Sequence, residues 1–168
     1  MKKTLWVVAS ATMLVLSQQR TRAEETATPA AAAIQKHIMV APEDIKWGPS
    51  PPFLPPGGQC VTIEGDPQTP NALFTIRSKL PDNYKIPAHF HPTDEHITVI
   101  SGTFKMGLGK QFEEKSMRAM AAGSFMVMPK DTPHFASTSG ETIVQVHAIG
   151  PMIFTYVNPE EDPGRPKK

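Results

Sequence analysis

The residues best suited to chemistry lie together in His89-Phe90-His91-Pro92-Thr93-Asp94-Glu95. Side chains two positions apart on a strand leave the same face, with α-carbons about 7 Å apart, so His89 and His91 can direct two imidazoles at one point. Glu95 keeps the same parity, and the turn over Pro92 to Asp94 lets the chain double back so that its carboxylate approaches the same place. His134 supplies a third imidazole. It ends the run Gly123-Ser124-Phe125-Met126-Val127-Met128-Pro129-Lys130-Asp131-Thr132-Pro133-His134, which reads as a strand, a tight Pro/Asp turn and a returning strand. Three imidazoles and a carboxylate form a donor set for one divalent transition metal. Burying that carboxylate among histidines without a cation would cost several kcal/mol. Fe, Mn, Ni, Cu and Zn all accept these ligands, and an octahedral ion would keep two positions for water, dioxygen or a chelating substrate.

Other reactive side chains have plainer readings. His96 has the opposite parity to Glu95 and points to the outer face. Gln145 and His147 share one face of a strand, where they either line a pocket or pair with neighbouring strands. Met106, Met126 and Met128 are read as gap-filling core residues rather than soft copper ligands. Cys60 is the only cysteine; it is read as a buried, inert thiol, and no intrachain disulfide can form. His37 is expected in solvent, as are Lys115 and Arg118. Beyond the four metal ligands no side chain stands out as a catalytic acid or base.

These donors need rigid strands to hold them. With 18 prolines and 11 glycines in 168 residues, the composition argues against a helical bundle, because proline removes a helix hydrogen bond and clashes with the preceding turn. Short β-like runs recur about every ten residues: Cys60 to Glu64, Ala72 to Leu80, Pro87 to His91, Glu95 to Ile100, Thr103 to Leu108, Ser124 to Met128, His134 to Thr138, Thr142 to Ile149 and Met152 to Val157. That spacing predicts an all-β sandwich or small barrel. The stretch Trp47 to Gly58 holds five prolines and three glycines in twelve residues. It reads as a stiff connection crossing one end of the barrel. One helical turn is expected within Gln111 to Met120.

At the N-terminus, Lys2 and Lys3 precede an apolar run from Leu5 to Leu16 and a polar stretch ending Thr21-Arg22-Ala23. This is the pattern of a secretory signal peptide over residues 1–23, with export to the periplasm or medium. The run is shorter than the roughly 20 residues of a membrane-spanning helix, so the mature form is expected to have no membrane association. A disordered leader is expected over 24–40, a single domain over 41–158 and a surface tail over 159–168. Cleavage takes the basic count from 17 to 13 against 16 acids, a net charge of about −3. That balance disfavours nucleic acid as a partner. Exposed sheet faces and edges are compatible with a homodimer.

Taken together, the motifs resemble the cupin superfamily. His89 and His91, then Glu95 after three residues and Gly102 after six more, are similar to the first cupin motif; Gly123, Pro129 and His134 are similar to the second, with 20 residues between Gly102 and Gly123. Gly65-Asp66-Pro67, Gln145-Val146-His147 and Gly150-Pro151 bring it near small exported bacterial single-domain cupins. Three positions depart from the pattern: Asn83 and Asp131 stand where glycines are expected, and Thr138 where asparagine is expected. Asn and Asp both tolerate a left-handed turn. The resemblance implies a double-stranded β-helix, jelly-roll-like barrel with the metal inside. It also implies a menu of activities. Foremost is a small metal-dependent oxidoreductase of dioxygenase type acting on a small organic substrate. The alternatives are a non-catalytic metal- or ligand-binding cupin of the cell envelope and a Zn-type isomerase or hydrolase.

Overall fold

The structure, a computed structural model, describes residues 37–166. The signal peptide read over 1–23, and the leader up to residue 36, lie outside the described residues. His37 to Val40 carry no regular structure.

The strands are β1 (Gly48–Pro49), β2 (Gln59–Glu64), β3 (Leu73–Leu80), β4 (Lys85–Phe90), β5 (Glu95–Leu108), β6 (Arg118–Ala121), β7 (Phe125–Met128), β8 (His134–Ile149) and β9 (Thr155–Tyr156). All pairings are antiparallel. They form one curled sheet ordered β1-β2-β3-β8-β4-β9, with β5 lying on β8 and also pairing β6 and β7. The all-β architecture expected from the spacing is therefore present.

Two of the expected breaks do not exist. The runs on either side of Gly102 form the single strand β5, and those on either side of Gly140 form β8. Gly102 and Gly140 have φ of 76° and 75°; they bend their strands without ending them. The β5–β8 register shifts between Val99 and Thr103, and such irregularities add twist and curvature. At Gly102 a β-carbon would collide with the Glu141 carbonyl, so glycine is needed for close approach as well as for its φ. Each long strand thus serves both halves of the barrel: the first half of β5 pairs β7 and the second half of β8, and its second half pairs β6 and the first half of β8.

Elsewhere the departures have local reasons. β1 forms inside the proline-rich stretch because it is an edge strand, where a missing amide donor costs least. β6 was hidden by a sequence without alternation. The run expected over Met152 to Val157 shrinks to Thr155–Tyr156, since the Met152 amide donates to the Pro67 carbonyl, 2.7 Å away, outside any ladder. The expected helical turn is the 3₁₀ turn Glu114–Ser116; two further 3₁₀ turns are Pro42–Asp44 and Pro159–Glu161, the latter beginning the tail. Inward positions alternate along the strands and build one core, with Phe74, Ile76, Ile97, Val99, Val144 and Val146 all buried.

Candidate metal centre

Strand register brings the four predicted donors to one end of this core. His89 on β4 lies directly opposite His134, the first residue of β8. Glu95 opens β5, opposite Met128 of β7 and Ala148 of β8. His91 sits one residue beyond β4, on the loop to β5. That loop is locked to the turn between β7 and β8: the Asp131 amide donates to the His91 carbonyl and the Lys130 amide to Asp94 Oδ1, each over 2.8 Å. Asp131 and Asn83 both adopt left-handed φ, 57° and 55°, so the two substitutions of the glycine pattern preserve turn geometry.

All four side chains are buried: His89, His91, Glu95 and His134 are 3%, 6%, 8% and 1% exposed. Each imidazole has its Nδ1 against a backbone carbonyl, His89 on Pro87 at 2.7 Å, His91 on Ile153 at 2.8 Å and His134 on Thr132 at 2.9 Å. A carbonyl only accepts, so each Nδ1 carries the proton and each Nε2 of the neutral ring presents a lone pair. Ring nitrogens of His89, His91 and His134 lie within 4.8 Å of one another. The Nε2 atoms of His91 and His134 are buried without any hydrogen-bond partner. Both face Glu95 Oε2, at 3.6 and 3.5 Å. Those separations are too long for good hydrogen bonds, yet near the spacing of about 3 Å between neighbouring ligands bound about 2.1 Å from one ion. The three histidines can therefore form a metal site, with Glu95 alongside two of them.

The electrostatics favour uncharged imidazoles beside an ionised acid. Burial, reinforced by the neighbouring His134 and His91, pushes His89 down to about 3. Burial also lowers His91, against the pull of Glu95. For Glu95 burial acts upwards, but contact with His134 and the field of His91 override it and hold the carboxyl below its ordinary range.

The model of the ChrR cupin-like domain matches residues 35–153. The chain belongs to the ChrR cupin-like family. No curated protein matches this cupin in sequence. Among solved structures, it resembles the polyketide cyclase RemF of Streptomyces resistomycificus, with 20% identity, a TM-score of 0.61, and 77% of this chain and 91% of that one covered. A protein of Methylibium petroleiphilum PM1, provisionally named an acetylacetone dioxygenase, gives 17% identity and 0.59 over 81% and 89% of the two chains. An RmlC-like cupin of Shewanella frigidimarina NCIMB 400 gives 12% identity and 0.53 over 68% and 91%. At these identities the likeness is one of fold.

His89, Glu95 and His134 open onto a cavity of about 40 Å³, room for roughly three water-sized molecules, and His91 lies outside its wall. Its wall is apolar, with Leu54, Phe104, Val144 and Phe154 among its members, and Ser78 is the only polar side chain on it apart from the ligands. Phe154 stacks on His89 with ring centres 4.6 Å apart and meets His91 edge-on at 4.5 Å. Neither Phe154 nor the carbonyl of Ile153 was anticipated. Both belong to the irregular segment before β9, where no periodicity marks an inward face. In the sequence, the clamp residue Asp94 shows only the signal of a turn former.

His96 is on the outer face and stacks on His147, its cross-strand partner, with centres 5.4 Å apart. Gln145 accepts from Arg77 Nε over 2.9 Å, so both outer polar residues pair between strands and neither lines the metal cavity. Met106, Met126 and Met128 are core residues. Cys60 is half-buried, with Sγ 3.2 Å from Ser78 Oγ, and burial raises its thiol pKa. His37, Lys115 and Arg118 are exposed.

Proposed function

We propose that this cupin is a metal-dependent oxidoreductase of dioxygenase type, holding one divalent ion on His89, His91, Glu95 and His134 beside a small organic substrate. The observation that carries this reading is the pair of buried Nε2 lone pairs on His91 and His134, which have no donor to accept from and converge on a carboxylate. When bound, such an ion supplies Lewis acidity and, for Fe, Mn or Cu, a one-electron couple. Three neutral rings and one carboxylate leave a dication with a net charge of about +1, which suits an anionic chelating oxygen function. The apolar wall keeps water away from that charge. Glu95 is the only wall carboxylate; with one oxygen directed at the ion, its other oxygen would accept a proton lost from an enolic or phenolic substrate. The fold-level likeness to a protein provisionally named an acetylacetone dioxygenase is in keeping with this class.

Oxygen uptake tests the reading. Protein loaded in turn with Fe, Mn, Ni and Cu, and offered phenolic and dicarbonyl compounds, should consume dioxygen with at least one metal, and His134→Ala should abolish the uptake. Silence across the panel, with tight capture of a compound, would favour a second reading as a binding module without turnover. That alternative draws on the absence of any acid or base on the wall other than the ligands.

A further inference from the structure

The metal cavity holds only a few atoms, but it has a larger neighbour. A second pocket, of about 240 Å³, lies under the proline-rich stretch and is walled by Pro49, Pro51, Phe53, Cys60, Val61 and Thr62, among others. Ile76 and Met152 line both spaces. The partition is completed by the Cys60–Ser78 contact, Cys60 facing the outer pocket and Ser78 the metal cavity. Successive residues of the stretch straddle it as well: Phe53 lines the outer pocket and stacks on Phe154 at 4.8 Å, while Leu54 lines the metal cavity.

The stretch itself is fixed. Tyr156 Oη donates to the Phe53 carbonyl over 2.7 Å and Tyr84 Oη to the Pro55 carbonyl. At Met152 the backbone is fixed through its amide on Pro67, but the side chain is unbranched, with several rotatable bonds, and readily changes rotamer. Of the two residues common to both spaces, Ile76 is a β-branched residue inside β3 and stiff; Met152 is the movable one.

We propose that the pocket under the proline-rich stretch is a subsite for the apolar tail of a ligand whose oxygen-bearing head chelates the metal, and that Met152 is the gate between them. This rests on the metal reading above and names the substrate class for that site: a compact chelating head on an uncharged hydrocarbon tail. The outer pocket has no charged side chain on its wall, so nothing there pairs with a carboxylate or an amine at the far end of the tail.

Straight-chain hydroxamic acids from acetyl to octanoyl, titrated by calorimetry into the Zn(II)-loaded full-length protein, test it. Once the tail passes Met152, affinity should rise about fourfold per methylene, the gain expected for burying each CH₂. Thr62→Trp, on the wall of the outer pocket alone, should flatten that rise and leave acetohydroxamate binding unchanged. Blocking Cys60 with methyl methanethiosulfonate should have the same effect without a mutation, and octanohydroxamate should slow that modification. Normal acetohydroxamate binding with no chain-length dependence, or a rise unaffected by both perturbations, overturns the subsite and leaves the metal reading standing. Failure of acetohydroxamate to bind removes the metal anchor and overturns both.

Discussion

Each of the three imidazoles is oriented by one hydrogen bond to a backbone carbonyl, and burial holds His89 and His91 in the neutral form. This makes metal-free protein acid-sensitive in a defined direction. His89 is pushed down to about 3 in the fold, from 6.5 when free. Between those values the unfolded chain binds a proton that the native chain refuses, so stability falls as pH drops through that window and gains nothing above it. His91 and Glu95, both also lowered, act in the same direction, Glu95 further down the scale. Chelator-treated protein should therefore lose melting temperature steadily from about pH 6.5 to about pH 4, and His89→Gln should flatten the upper part of that loss. A melting temperature that is level or rising over this range would show that the rings are not buried neutral. Metal should offset the loss, contributing about 4 kcal/mol at a thousandfold excess over Kd.

Among the elements, the decisive arrangement is the contact between two turns: the one between β4 and β5, and the one between β7 and β8. Asp94 Oδ1 caps the Lys130 amide and the His91 carbonyl receives the Asp131 amide, so the two donor-bearing hairpins are pinned together beside the ligands. Asp94→Ala should weaken metal binding by about 10- to 100-fold, the usual cost of losing an orienting partner, and Asp94→Asn, which keeps the accepting oxygen, should recover most of it. Competition against a fluorescent chelator measures both variants; equal affinity for Asp94→Ala and wild type would remove the clamp from the account. Strand parity was enough to put His89 and His91 on one face, although His91 lies one residue past β4, and the Pro/Asp turn before β8 was enough to return His134 towards them. The continuity of β5 and β8 was not legible. Gly102 and Gly140 are chain breakers by local rules, and only the long-range β5–β8 ladder shows that they bend the strands. Phe154 and the Ile153 carbonyl were equally out of reach, since their segment owes its path to the Pro67 carbonyl and to His91.

For the molecule as a whole, the motifs read in sequence and the match over residues 35–153 lead to the same barrel. The N-terminal 23 residues still carry the pattern of an export signal, and we propose that the protein acts outside the cytoplasm. Expressed with its own N-terminus in a bacterial host, it should fractionate with exported proteins, and intact-mass analysis should place its first residue at Glu24. A full-length chain retained in the cytosol would contradict that.

The three carbonyls that orient the imidazoles belong to Pro87, Thr132 and Ile153, main-chain atoms whose positions are set by the barrel rather than by any ion. The direction in which each ring points is therefore written into three peptide planes, and a substitution elsewhere on the barrel that leaves those planes in place should leave the aim of the three rings unchanged.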